Sequence, residues 1–235
     1  MNAPRGAEDA RWALGAVGHE LRSPLSIISG YAELLRVRPD ERTRLEASLR
    51  IQDAAEHLST IIDETLLLLA LDSGELDLDT APVALAPVVR AAVSEIAATH
   101  AGHALLLIVD DEDAEVWADP TQLPRLVTRL LDGVCTALPS GTRILVRVGR
   151  HDGRGVVAAG APEQWQLREG ARLTLYVVRR LAELHGGSLN IEEETGRVTV
   201  TLALPEPVGS DSRTLGPSRS DRSRPLPPGS FDAGS

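Results

Sequence analysis

The chain has 235 residues, 43% of them apolar, and a formal net charge of -10, enough for one full domain and a second, smaller unit. All 24 basic residues are arginine and form no concentrated stripe, which argues against direct nucleic-acid binding. A single cysteine, Cys135, excludes an intramolecular disulfide. The start of the chain does not read as a signal peptide, and no apolar run approaches the roughly 18 residues that would span a bilayer, so a cytoplasmic protein without a membrane segment is expected.

From about Asp9 to Val37 the large apolar residues Leu14, Val17, Leu21, Leu25, Ile28, Tyr31 and Leu35 recur at spacings of three or four, which predicts one long amphipathic helix. Pro39 and Asp40 break it. A second run, with Leu45, Ile51, Ala55, Leu58, Ile62, Thr65 and Leu69 on one stripe, extends to Gly74 and closes an antiparallel hairpin. Each helix would be ~45 Å long, and two such helices cannot enclose a core by themselves. A two-fold axis that supplies two more identical stripes solves this, so a homodimeric four-helix bundle is expected.

After a linker over residues 75–83, the pattern predicts a helix over 84–100, strands over 105–109 and 115–117, and a helix over 122–138. Strands over 143–148 and 155–158, a helix over 171–184, and strands over 188–192 and 198–204 around a Thr195-Gly196 turn complete it. The division is therefore a flexible N-terminus (1–7), a hairpin domain (8–74), a linker (75–83), an α+β sandwich of helices on a mixed sheet (84–205), and a Ser/Pro/Gly/Arg-rich tail (206–235) with little to bury.

The stretch GHELRSPLSIISGYAELL, Gly18 to Leu35, resembles the phosphoacceptor signature of sensor histidine kinases almost position for position. The second run, ending LLLLALDSGELDL, resembles that family's second bundle helix and its exit into an ATP-binding domain. The residues make chemical sense independently. A neutral imidazole is a good nucleophile near pH 7, and a phosphoramidate formed on it stays reactive enough to pass the group onward. His19 falls off the apolar stripe and should face solvent, with Arg22 and Ser23 at i+3 and i+4 on the same face. Pro24 inside a helix costs ~3 kcal/mol and frees the carbonyl of Glu20, which suggests a useful kink beside His19. The resemblance implies further roles: Glu20 orients and deprotonates the His19 ring, Arg22 stabilises the phosphoryl group, and Ser23 positions water for dephosphorylating a partner.

The same resemblance implies an ATP-binding domain with an Asn for Mg²⁺, an Asp for the adenine amine and glycines around the phosphates. None is in place. In TRLLDGVCTALPSG the Asn position holds Gly133, in VVAAGAP the Asp position holds Ala158, and in EGARLTLYVVRRLAELHGG Arg172 and Thr174 replace two glycines. Only about ten residues separate Gly160 from Gly170, where the family carries a long lid. ATP binding is therefore not expected, and no metal or cofactor is required of this chain, Mg²⁺ coming from the partner.

The sequence thus implies a two-component phosphorelay protein, a histidine phosphotransferase whose His19 exchanges phosphoryl groups with response-regulator aspartates. Its expected partners are receiver domains, a second copy of itself and an upstream hybrid kinase. Two alternatives stay open: a sensorless histidine kinase that phosphorylates His19 from ATP, and a non-enzymatic regulator that sequesters a kinase or a response regulator.

Overall fold

A computed structural model of the chain describes residues 5–38, 40–74, 76–161, 171–194 and 197–207. Two 33-residue helices come first, α1 (Arg5–Val37) and α2 (Glu41–Ser73), packed as a hairpin. α1 starts four residues earlier than the apolar pattern indicates and runs on through Pro24, so residues 5–7 are helix rather than a loose lead-in. The turn is ended by chemistry local to Asp40. Its carboxylate accepts from the Thr43 amide at 2.9 Å and from the Thr43 hydroxyl at 2.7 Å, satisfying one of the free amides at the start of α2. Pro39 lies outside the described residues. Gly74 closes α2 in the left-handed conformation, φ 70°, and donates its amide to the Ala70 carbonyl.

The face that α2 buries differs from the stripe expected of it. Ala47, Ala54, Ile61, Glu64 and Leu68 are buried, whereas Leu45, Ala55, Ile62 and Leu69 are exposed. The buried line is set back by one residue, about 100° around the helix. The expected stripe is a second apolar face: Leu25 on α1 and Leu45, Leu49, Ile62, Leu66 and Leu69 on α2 are each more than half exposed.

The remainder is a two-layer α/β sandwich. Strands β1 (Ala81–Ala84) and β3 (Glu115–Ala118) form an antiparallel ribbon. Strands β2 (Ala104–Val109), β4 (Arg143–His151), β5 (Arg154–Gly160), β6 (Ser188–Glu194) and β7 (Arg197–Pro205) form a sheet of order β2-β4-β5-β7-β6. Only the β2–β4 pair is parallel, giving the mixed sheet that was expected. Helices α3 (Leu85–Thr99), α4 (Gln122–Ala137) and α5 (Arg172–Leu184) bury their apolar faces against Ile144, Val146, Val148, Val157, Val200, Leu202 and Leu204 of the sheet. β4 and β5 are joined by Asp152-Gly153, both at positive φ, the backbone that a two-residue hairpin turn requires. The Thr195-Gly196 turn and residues 208–235 of the expected tail lie outside the described residues.

Residues 81–83, assigned to the linker from sequence, form strand β1 together with Ala84, so a third of that segment belongs to the sandwich. Asp119 holds the rest. Its carboxylate accepts from the Asp79 amide at 3.0 Å, the Thr121 amide and hydroxyl at 2.7 Å, and the Gln122 amide at 3.1 Å. Four donors, led by the Thr121 hydroxyl, pull its carboxyl down to about 2. A depressed pKa contributes stability that is present above the ordinary value of 3.8 and lost as pH falls through about 2. Replacement Asp119→Ala should therefore cost about 1 kcal/mol at pH 7, as a lost helix-start acceptor does. The deficit in urea unfolding should shrink toward pH 2.

Candidate functional site

His19 is exposed on α1, and Arg22 and Ser23, one turn further on, are exposed with it. These three side chains at i, i+3 and i+4 form one accessible patch, as their spacing requires. Pro24, by contrast, is buried. Near it the Ser26 hydroxyl donates to the Arg22 carbonyl at 2.8 Å, giving that carbonyl a second partner close to the break in the helical ladder. The patch can do one kind of chemistry well: it offers a nucleophilic ring nitrogen and a guanidinium on one exposed face of the helix.

Glu20 is placed differently from its neighbour. It is buried, 7% exposed, and its Oε1 accepts from the backbone amide of Leu173 at 3.3 Å, in the first turn of α5. Glu64 of α2, 4% exposed, meets the hydroxyl of Thr174 in the same turn. Burial pushes both carboxyls up to about 7; the Leu173 amide partly offsets this for Glu20, and the Thr174 hydroxyl and Arg129 do so for Glu64. Each carboxyl thus serves α5 as an acceptor from another part of the chain. Glu64 escaped the sequence reading. Its signal was a charge on the apolar line Ile61–Glu64–Leu68, where an exposed face would have been the ordinary place for it.

Of the four substituted nucleotide positions, Gly133 and Thr174 are brought together, whereas Arg172 and Ala158 point elsewhere. Gly133 is buried on α4, and a side chain there would begin 3.2 Å from both Thr174 Cγ2 and Leu175 Cδ2, so any larger residue would press on α5. Thr174 is buried in that contact, and Arg172 is exposed at the head of α5. Ala158 pairs with Arg147 and Thr201 and shares the sheet face turned away from the helices. The residue of β5 that faces the helical layer is Ala159, 1% exposed. A ligand held between α4, α5 and the sheet would meet Ala159, and neither alanine offers an acceptor.

The other histidines and the cysteine have local tasks. His100 Nε2 lies 2.7 Å from Asp132 Oδ1, and His185 donates Nδ1–H to the Leu181 carbonyl at 2.7 Å. The Cys135 thiol is buried and pushed up to about 12 by desolvation. Among the described residues no group of three or more His, Cys, Asp or Glu is arranged to hold a metal ion. Among them, too, no helix is long and apolar enough to cross a membrane.

A long hairpin presenting a histidine, followed by a three-helix, five-stranded sandwich, defines a phosphoacceptor module joined to a kinase-type α/β unit. Residues 13–74 match the His Kinase A (phospho-acceptor) domain, and over about four-fifths of its length the chain is similar to sensor histidine kinases. It is 28% identical over 214 residues to the sensor histidine kinase TrcS of Mycobacterium tuberculosis, covering 80% of this chain and 42% of that protein. To the sensor protein DivL of Caulobacter vibrioides it is 30% identical over 214 residues, covering 82% and 28%. The chain spans less than half the length of the curated relatives it matches. In fold it is similar to the Acinetobacter baumannii histidine kinase AdeS, with a TM-score of 0.62 at 16% identity, over 80% of this chain and 97% of the other. A comparable likeness, TM-score 0.61 at 18% identity, links it to histidine kinase ThkA in a crystal with response regulator TrrA, over 83% and 61%.

The crowding at Gly133 has a direct consequence for restoring the family residue. Gly133→Asn should destabilise the protein by about 1–3 kcal/mol through overpacking against Thr174 and Leu175, measured by urea unfolding. It should do so without creating a saturable thermal shift with Mg-ATP.

Proposed function

We propose that this protein is a histidine phosphotransferase of the two-component class, in which His19 takes a phosphoryl group from a receiver-domain aspartate and passes it to another. The observation that carries this reading is the closed junction of α4 and α5, where Thr174 and Leu175 occupy the space beside Gly133 while the start of α5 is taken by Glu20 and Glu64. The residues there do not fit a nucleotide with its metal. Charge-assisted contacts contribute roughly 1.5–3 kcal/mol each. Losing two or three removes most of the ~7 kcal/mol behind a Kd of ~10 μM. The exposed His19 face needs no nucleotide.

In such a transfer a ring nitrogen of His19 attacks the phosphorus of the acyl phosphate. The P–O bond to the aspartate breaks, the carboxylate leaves with the bonding electrons, and the imidazole gives up its ring proton. Positioning and charge stabilisation supply most of the acceleration in phosphoryl transfer. Arg22 is placed to neutralise the phosphoryl oxygens, and Ser23 to hold water for hydrolysis. Receiver domains bring their own Mg²⁺, so this chain supplies the nucleophile and its surroundings. A cytoplasmic location and an upstream hybrid kinase as donor belong to the same proposal.

The second apolar face of the hairpin supports a homodimer. Six large apolar side chains, each more than half exposed along two helices, exceed what scattered surface residues account for. A second copy applied about a two-fold axis covers them as a four-helix bundle. Light scattering should give twice the 25.1 kDa chain mass, and Leu66→Asp with Leu69→Asp should return it to the monomer mass.

Transfer is tested with a cognate receiver phosphorylated by a small-molecule donor. The wild type should acquire a label stable in alkali and labile in mild acid, and His19→Gln should abolish it while dimerisation persists. Mg-ATP should neither label the protein nor raise its melting temperature, because a ligand that binds only the folded state must stabilise it. Labelling from ATP alone would favour an autokinase, and binding of the receiver without transfer would favour a sequestering regulator.

A further inference from the structure

Helix α5 begins without a cap of its own: Ala171 sits at the N-cap position and makes no side-chain hydrogen bond to the first turn. The amides of a first helical turn have no acceptor inside the helix and carry the positive end of its dipole. One carboxyl group from the hairpin takes that place, and a second lies beside it. Glu20 of α1 accepts from the Leu173 amide at 3.3 Å, and Glu64 of α2 meets the Thr174 hydroxyl. Both are more than nine-tenths buried, and Glu64 lies near enough for its charge to raise Glu20. Around them the hairpin is seated by apolar contact, with Ile61 and Leu68 inside the sandwich's core and Val17, Leu21, Leu67 and Leu71 against it.

We propose that Glu20 and Glu64 form a proton-operated latch, which seats the phosphoacceptor hairpin on the start of α5 when protonated and releases the α/β unit from it when both carboxyls ionise.

Desolvation holds Glu20 at about 7, opposed by the Leu173 amide and helped by the charge of Glu64, which it faces. Glu64 is likewise held at about 7 mainly by desolvation, lowered by the Thr174 hydroxyl and Arg129 and raised by Asp132. Asp63 of α2 and Glu95 of α3 line the same cavity of about 290 Å³ with Arg129 and Asp132, the last of which is held by His100 at 2.7 Å. Further along α2, Asp72 pairs with Arg180 of α5 at 3.1 Å. A carboxyl raised in the docked form binds more protons docked than free. Docking is thus strongest below the ordinary value of 4.5 and weakens as pH rises through 7. That opening would return Glu20 to His19 rests on the function proposed above; the latch itself does not.

Hydrogen exchange at the Leu173 and Thr174 amides of the full chain reads the latch, once intrinsic rates are corrected for pH. With each carboxyl moved from 4.5 to about 7, docking weakens about tenfold per group between pH 6 and pH 8.5, and about a hundredfold for the pair. Wild-type protection should fall by 10- to 100-fold across that range. In Glu20→Gln/Glu64→Gln the neutral amides keep their size, so protection should be retained and equal at both pH values. Wild-type protection that does not change with pH, or an equal fall in the double variant, overturns the proposal. Should the double variant fail to fold, small-angle scattering of the wild type decides: an expansion with a midpoint near pH 7 supports the latch, and constant dimensions refute it. His19→Gln should lose phosphoryl transfer yet keep the pH response, so failure of the functional reading and failure of the latch are told apart.

Discussion

A helix that starts inside a protein must find acceptors for amides that its own carbonyls cannot reach, and in α5 this requirement joins the two parts of the chain. Glu20 of α1, 153 residues earlier, accepts from one of those amides, and Glu64 of α2 meets the Thr174 hydroxyl in the same turn. Once Glu20 and Glu64 are fixed there, the residues one and two turns away on the hairpin are fixed as well. Ile61 and Leu68 enter the core of the sandwich, and Asp72 reaches Arg180. Burying two carboxyls is costly unless they are hydrogen-bonded or neutral. Both outcomes are visible, since each has a donor and each is pushed toward neutrality.

This docking divides the hairpin into faces with different tasks. The line of Ala47, Ala54, Ile61 and Leu68 is spent on contacts within the chain. The line of Leu45, Ile62, Leu66 and Leu69 remains open, as does the patch of His19, Arg22 and Ser23. Adjacent residues on a helix point about 100° apart, so His19 and Glu20 can belong to different surfaces although they are neighbours in sequence. One faces outward, and the other is an interior carboxyl.

The nucleotide region shows that losing a site can be steric as well as chemical. Absence of an asparagine at position 133 removes a ligand, but the approach of Thr174 and Leu175 also removes the room for one. A similar close approach explains Gly155, where a side chain would collide with Val116 of the β1–β3 ribbon. Both glycines record how near a neighbouring element passes, a fact with no local signature.

The sequence by itself determined the hairpin, the order of helices and strands in the sandwich, and the exposed histidine with its motif. Those features rest on periods of 3.6 and 2 and on residue types within a few positions of one another, which local chain geometry dictates. Only the tertiary structure decided which side of α2 is buried, that residues 81–84 are strand, that Ala159 rather than Ala158 faces the helices, and that Glu20 caps α5 with Glu64 beside it. An amphipathic helix with two apolar lines specifies neither which line meets which neighbour nor how far it is rotated. Strand β1 pairs with residues 31 to 37 positions further along the chain, and a helix's missing cap can be met from any distance. Such choices are made by packing between distant segments, and the pattern within any one segment is compatible with more than one of them.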